Sequence, residues 1–312
     1  MGEMSLKSVL RFAFLAVAIA LIAWAVYASW DQFLAAVESM TWPSVVLAVM
    51  ACLVALGVNA LSWRAVMRSV GFGATITESL RVFLLSQVGK YIPGSVWPVL
   101  AQAEFARDHG VNRSSAMTGS IVAMVVGVVT SGVVGCVGLV VAAPATLSTY
   151  WWVLLVTLAL AACLAPPILH RIAGLALRVA RRKEQPARIR GGALLESVVW
   201  SLLMWLLLGF QAWMLLRDLA PAASFAVATG AFAFAWLVGF LVVVAPAGIG
   251  AREAALVVAL AGVVEPAQAL SLAVISRVLM TAADAAGLAI GLTLGGRPRS
   301  SPRAPASGAG HR

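Results

Sequence analysis

The chain has 312 residues, of which 62% are hydrophobic and 11% charged, with a mean hydropathy of +0.98. A water-soluble domain carries about a quarter of its residues charged, so this composition excludes a soluble enzyme and leaves length for about seven to nine crossings of about 20 residues each. The net charge of +10 does not point to nucleic acid, because the basic residues lie in short stretches between apolar runs, the positive-inside pattern of a membrane protein. Cys52, Cys136 and Cys163 sit singly in apolar runs without CxxC or Cys/His spacing, so neither a metal, a cofactor nor a disulfide is expected.

In chain order, the first apolar run, 12–30, is long for a signal peptide and reads as an uncleaved span. Further spans are expected at 43–63, 114–142, 149–168, 193–216, 224–245 and 268–294, making seven. Lys7 and Arg11 precede the first span, whereas Asp31 and Glu38 follow it with no basic residue beside them, which puts the N-terminus in the cytoplasm. Arg64, Arg68 and the seven basic residues of 171–190 then fall inside, and the uncharged loop 143–148 falls outside. The stretch 171–190 reads as a topology determinant or as a patch for anionic lipid. The expected protein is an all-α, polytopic bundle over 1–296 in the cell membrane, with both termini cytoplasmic and 297–312 a disordered basic tail.

Two segments break this regularity. Residues 76–107 are too polar for a lipid-facing span and are interrupted by Gly89, Pro93, Gly94 and Pro98, so two half-helices joined at 90–97 are expected, entering and leaving from one side. The stretch 242–260 carries Pro246, Gly248 and Gly250 just ahead of Arg252 and Glu253. Exposed backbone of this kind is tolerated only against protein or a watery cavity. Matched breaks in the two halves of a chain are a mark of transporters built from inverted repeats, whose half-helix ends converge on substrate near the midplane. Gly and Pro are also common in membrane helices generally.

Charges in hydrocarbon cost a few kcal/mol each, and this chain retains Glu78, Arg81, Lys90, Glu104, Glu196, Arg252, Glu253, Arg277 and Asp284 in apolar surroundings. Arg277 and Asp284 are seven residues apart, two turns or about 10 Å, and share a helix face. Arginine suits phosphate through its planar fork, and Lys90 adds a point charge beside the Pro93–Gly94 turn. Arg252 at a half-helix start adds backbone donors to the same anion. Lys90, Glu104, Arg252, Glu253, Arg277 and Asp284 are the candidate substrate contacts; the alternative for each is a structural ion pair or a snorkelling side chain. Trp42, Trp97, Trp151 and Trp152 read as interface aromatics.

The segments GKYIPGSVWPVLAQAEFARDHGVNRSSA, PAGIGAREAAL and SRVLMTAADAAGLAIG resemble the flippase-like family named for the transmembrane region of lysylphosphatidylglycerol synthase, over about residues 10–295. The resemblance rests on a Pro-Gly turn followed by a helix ending in R-x-x-G, and on a late P-x-G-I-G-x-R-E motif. It implies a translocase that moves an anionic phospholipid or polyprenyl-linked glycolipid between leaflets, beside a partner that synthesises or glycosylates that lipid. No synthase domain follows residue 295, so lysyl transfer is not expected, and the span 114–142 lacks the charge that relatives often carry near its start. A membrane glycosyl- or phosphotransferase would need a paired acidic metal site, which the sequence lacks, and a non-transporting scaffold would need neither broken helices nor internal charges.

Overall fold

A computed structural model describes residues 30–91, 97–142, 151–179, 185–242, 248 and 250–294. The expected first span, Pro93, Gly94, Pro246, the loop 143–148 and the tail lie outside the described residues. Within them the chain is helical: α1 Trp30–Ser39, α2 Trp42–Ser69, α3 Ile76–Ser86, a 3-10 turn Gln87–Tyr91, α4 Trp97–Arg107, α5 Arg113–Ala142, α6 Trp152–Ala162, α7 Pro166–Val179, α8 Gly191–Leu219, α9 Phe225–Leu241, α10 Ala251–Ala259 and α11 Pro266–Thr293.

Four of these, α2, α5, α8 and α11, are long and apolar enough to cross a membrane. At 28–30 residues each is more than 40 Å long, beyond the roughly 30 Å of hydrocarbon. Of the expected seven full spans, the described residues show four, or five if α6 and α7 together make one, and the first expected span lies outside them. The expected span 149–168 ends early because Pro166 and Pro167 cannot continue a helix, and the chain bends by 71° there. Of the expected span 224–245, the described residues show a 17-residue apolar helix, about 26 Å long, at the lower end of the length a crossing takes. Exposed Trp42, Val46, Met50 and Val54 on α2, and Leu195, Val199, Leu203 and Leu206 on α8, form apolar stripes at helical spacing. Such stripes would be a liability in water and are the natural surface toward lipid.

Helices α2 and α8 run antiparallel along their whole length. Asp218, in the last turn of α8, accepts the Thr41 backbone N–H at 2.9 Å and the Ser44 hydroxyl at 3.1 Å at the start of α2. Ser62 meets Ser197 at 2.9 Å farther along, and Arg68 pairs with Glu196 at 3.5 Å at the far end. On each side of this pair the same sequence of elements follows: α3, turn, α4, α5 after α2, and α9, break, α10, α11 after α8. Their packing corresponds too, since α5 lies against α9 and α3 against α11, while α4 packs on α5 and α10 on α11.

Both breaks close on glycine. A Cβ on Gly89 would come within 2.8 Å of the Pro98 nitrogen, so only glycine lets the turn approach the start of α4. Gly248 (φ +70°) and Gly250 (φ +87°) adopt left-handed backbone, and a Cβ on Gly248 would lie 2.8 Å from the Gly239 Cα. Thr75 caps α3 reciprocally with Glu78, whose carboxylate accepts the Thr75 N–H at 2.7 Å, so this candidate charge has a helix-capping task.

The crossing of α5 and α9 gives a test. A Cβ on Gly230 would sit 2.9 Å from the Gly138 backbone, whereas one on Gly57 meets nothing within 4 Å. Gly230→Ala is expected to lower thermal stability in detergent by about 1–3 kcal/mol through overpacking. Gly57→Ala is expected to raise it by up to about 1 kcal/mol through helix propensity. Equal melting midpoints for the two variants would contradict this packing.

Candidate functional site

A cavity of about 290 Å³ opens beside the middle of α2, where Cys52, Ala55 and Asn59 form one wall. The 3-10 turn contributes Lys90 and Tyr91, the second break Gly248 and Arg252, and α11 Arg277, Thr281 and Asp284. The two broken segments and the last long helix thus meet at one place. Trp63, Trp205, Trp236 and Phe240 supply aromatic wall, with Gln87, Gln102 and Ser120 among the neutral polar groups.

Each charge has a definite environment. Lys90 Nζ lies 2.6 Å from Asp284 Oδ2, which also accepts the Tyr91 hydroxyl at 2.5 Å. Arg277 Nε lies 2.6 Å from Glu253 Oε1, while Glu253 Oε2 accepts the Gly250 N–H at 2.6 Å. Glu253 therefore caps α10 and anchors α11 at once, and it is only 3% exposed. Arg252 differs: its guanidinium stands 4.6 Å over the Phe232 ring and reaches Met280 Sδ at 3.1 Å. Among the described residues no carboxylate lies within 4.0 Å of it. A cation–π contact offsets part of its desolvation without neutralising it.

Of the six candidate contacts, Lys90, Arg252, Arg277 and Asp284 line the cavity and Glu253 stands directly behind Arg277. Glu104 lies apart, half-exposed on α4, where it pairs with Arg107 at 2.6 Å and Arg113 at 3.8 Å. Its position beside the R-x-x-G motif reflects this local ion-pair cluster. Glu196 likewise pairs with Arg68, with both side chains largely exposed.

Sequence reading missed the neutral and aromatic lining. Asn59 was detectable as a lone amide in an apolar run, and Trp205 as an indole far from either end of its helix. Trp205 Nε1 donates to Thr130 Oγ1 at 3.1 Å and Trp63 Nε1 to Ser120 Oγ at 3.0 Å. Both donors are satisfied by α5, a pairing that no local pattern announces.

These features define a polytopic helical membrane protein in which two interrupted segments, bringing Lys90 and Arg252, meet the last long helix, bringing Arg277 and Asp284, at a shared cavity beside the middle of α2. Residues 10–286 match the family described as the lysylphosphatidylglycerol synthase TM region, and the chain belongs to that family. A comparison with curated proteins finds no match.

The Glu253–Arg277 contact carries its own test. Breaking a buried pair from one side costs about 3–5 kcal/mol, whereas replacing both partners with neutral groups costs less. Glu253→Gln is expected to destabilise the protein strongly, and adding Arg277→Met is expected to restore part of the loss. Additive losses in urea unfolding would show that the two side chains are not energetically paired.

Proposed function

We propose that this protein is a lipid translocase which takes a negatively charged headgroup into the cavity between its two broken segments. The observation that carries the reading is Arg252, a guanidinium on the cavity wall with no carboxylate within 4.0 Å among the described residues. An arginine in that setting calls for an anion, and its planar fork fits phosphate oxygens in pairs. Lys90, Arg252 and Arg277 against Glu253 and Asp284 give three positive and two negative formal charges, one positive in excess. One phosphodiester would balance the cluster. At about 290 Å³ the cavity is near the lower end of ligand pockets, roughly 300–1,000 Å³. It has room for a headgroup, with the acyl or polyprenyl chains left in the lipid.

The corresponding element order and antiparallel α2–α8 pairing support an inverted repeat, the architecture in which broken helices meet at a midplane site. Translocation is favoured over a transferase activity because both carboxylates of the cluster are engaged by cations and no group of three metal-ligating side chains occurs among the described residues. A cytoplasmic location of both termini is supported by the charge distribution. Arg64, Arg68, Arg113 and Arg190 gather at one end of the bundle, while Asp31, Glu38 and Asp218 belong to the other. Fusions of alkaline phosphatase at the C-terminal tail should therefore be inactive, and activity there would reverse the orientation.

Leaflet exchange of fluorescent phosphatidylglycerol in reconstituted vesicles, read by dithionite quenching, tests the site. Arg252→Leu is expected to slow exchange at least about tenfold with normal insertion, and Arg252→Lys to recover only part, because lysine keeps the charge and loses the fork. Arg252 is the more informative target, since Arg277→Leu also leaves Glu253 buried without its cation. Parental exchange in Arg252→Leu would remove Arg252 from the site.

A further inference from the structure

The two carboxylates of the cluster are held in different ways. Glu253 commits one oxygen to Arg277 and the other to the Gly250 N–H, and stands behind the guanidinium. Asp284 is on the wall itself, the only carboxylate lining the cavity among the described residues. Its Oδ2 collects both Lys90 at 2.6 Å and the Tyr91 hydroxyl at 2.5 Å. An ammonium and a phenol converging on one oxygen make a site that a phosphate oxygen fills equally well.

Lys90 is also the cation best able to change partner. Its side chain is 29% exposed against 25% for Arg277, whose partner Glu253 is only 4% exposed and held a second time by the Gly250 N–H, and the Lys90 ammonium turns freely on a four-carbon stem. The groups facing Asp284 around the cavity are Lys90 and Tyr91 from the turn, Arg252 from α10, Arg277 on its own helix and the Cys52 thiol from α2. An arriving anion thus meets one cation without a carboxylate, Arg252, and one whose carboxylate is replaceable, Lys90.

We propose that Asp284 is a tethered competitor for the substrate anion. Without substrate its carboxylate fills the oxygen site made by Lys90 and Tyr91, and the anion displaces it from Lys90 on entry. The idea rests on the reading of the cavity as an anion site and assigns Asp284 a task within it. Self-competition keeps the anion from binding too tightly to leave, because Asp284 regains Lys90 as the anion departs. It also ties occupancy to structure, since the Lys90–Asp284 contact joins the first broken segment to α11.

Calorimetric titration of the full-length protein in detergent with inorganic phosphate and with dihexanoyl phosphatidylglycerol tests this. Asp284→Asn is expected to tighten binding about tenfold and Lys90→Met to weaken it about tenfold, within the range of close charge-pair couplings. On the Lys90→Met background, Asp284→Asn should give no gain. Gains for both probes identify phosphate alone as the recognised group, and a gain for the lipid alone identifies the esterified headgroup. Unchanged or weaker binding in Asp284→Asn, or a gain that persists without Lys90, overturns the proposal. Should the asparagine variant fail to fold, Asp284→Ser carries the same expectation. If Arg252→Leu abolishes binding while Asp284→Asn changes nothing, the anion site stands and the competitor falls. If neither probe binds any form, both fall.

Discussion

An ionised side chain in the middle of a bilayer costs a few kcal/mol unless it meets an opposite charge, a hydrogen-bond partner or water. The interior of this protein is arranged around that constraint. Five charged residues stand on or just behind the cavity wall, and four are joined as Lys90–Asp284 and Arg277–Glu253. Each pair ties a different broken segment to α11, so the cost of burying charge becomes the means of placing two irregular segments against one long helix. Arg252 is left over, and its ring and thioether contacts are partners that an anion could outbid.

The breaks and the charges depend on one another. An interrupted helix exposes backbone groups that hydrocarbon cannot satisfy, and here part of that demand is met from the side chains nearby. At the second break the Gly250 N–H goes to Glu253, while the first is anchored in place by the Lys90 and Tyr91 side chains reaching Asp284. Glycines then allow the close approach that such turns require: Gly89 against Pro98, and Gly248 against Gly239. Without Glu253 the Gly250 donor would lose its partner, and without the glycines the turns could not approach so closely.

Much of this arrangement was legible in the sequence because it leaves local marks. Pro and Gly beside charges identify both breaks, and the seven-residue spacing of Arg277 and Asp284 places them on one face. Pairing across elements leaves no such mark, which is why Glu104 stood among the candidates although it belongs to a surface cluster with Arg107 and Arg113. The expected span 149–168 differs from the structure for a related reason. Hydropathy averages over a window and passes over Pro166 and Pro167, yet the missing amide donors there end α6 and turn the chain by 71°. Likewise nothing local separates Trp63, whose indole faces α5, from Trp42, which is exposed.

The seam between α2 and α8 has a mechanical meaning. Its fastenings lie at both ends and between: Asp218 on Thr41 and Ser44, Ser62 on Ser197, Arg68 on Glu196. Sliding by one helical turn, about 5.4 Å, would undo all of them together. At the α5–α9 crossing, by contrast, glycines bring the two backbones into direct contact, Gly138 against Gly230, with Gly135 set against Phe234 one turn away. The molecule therefore fastens one seam with polar keys at fixed positions and the other with close-fitting backbone where Gly138 faces Gly230.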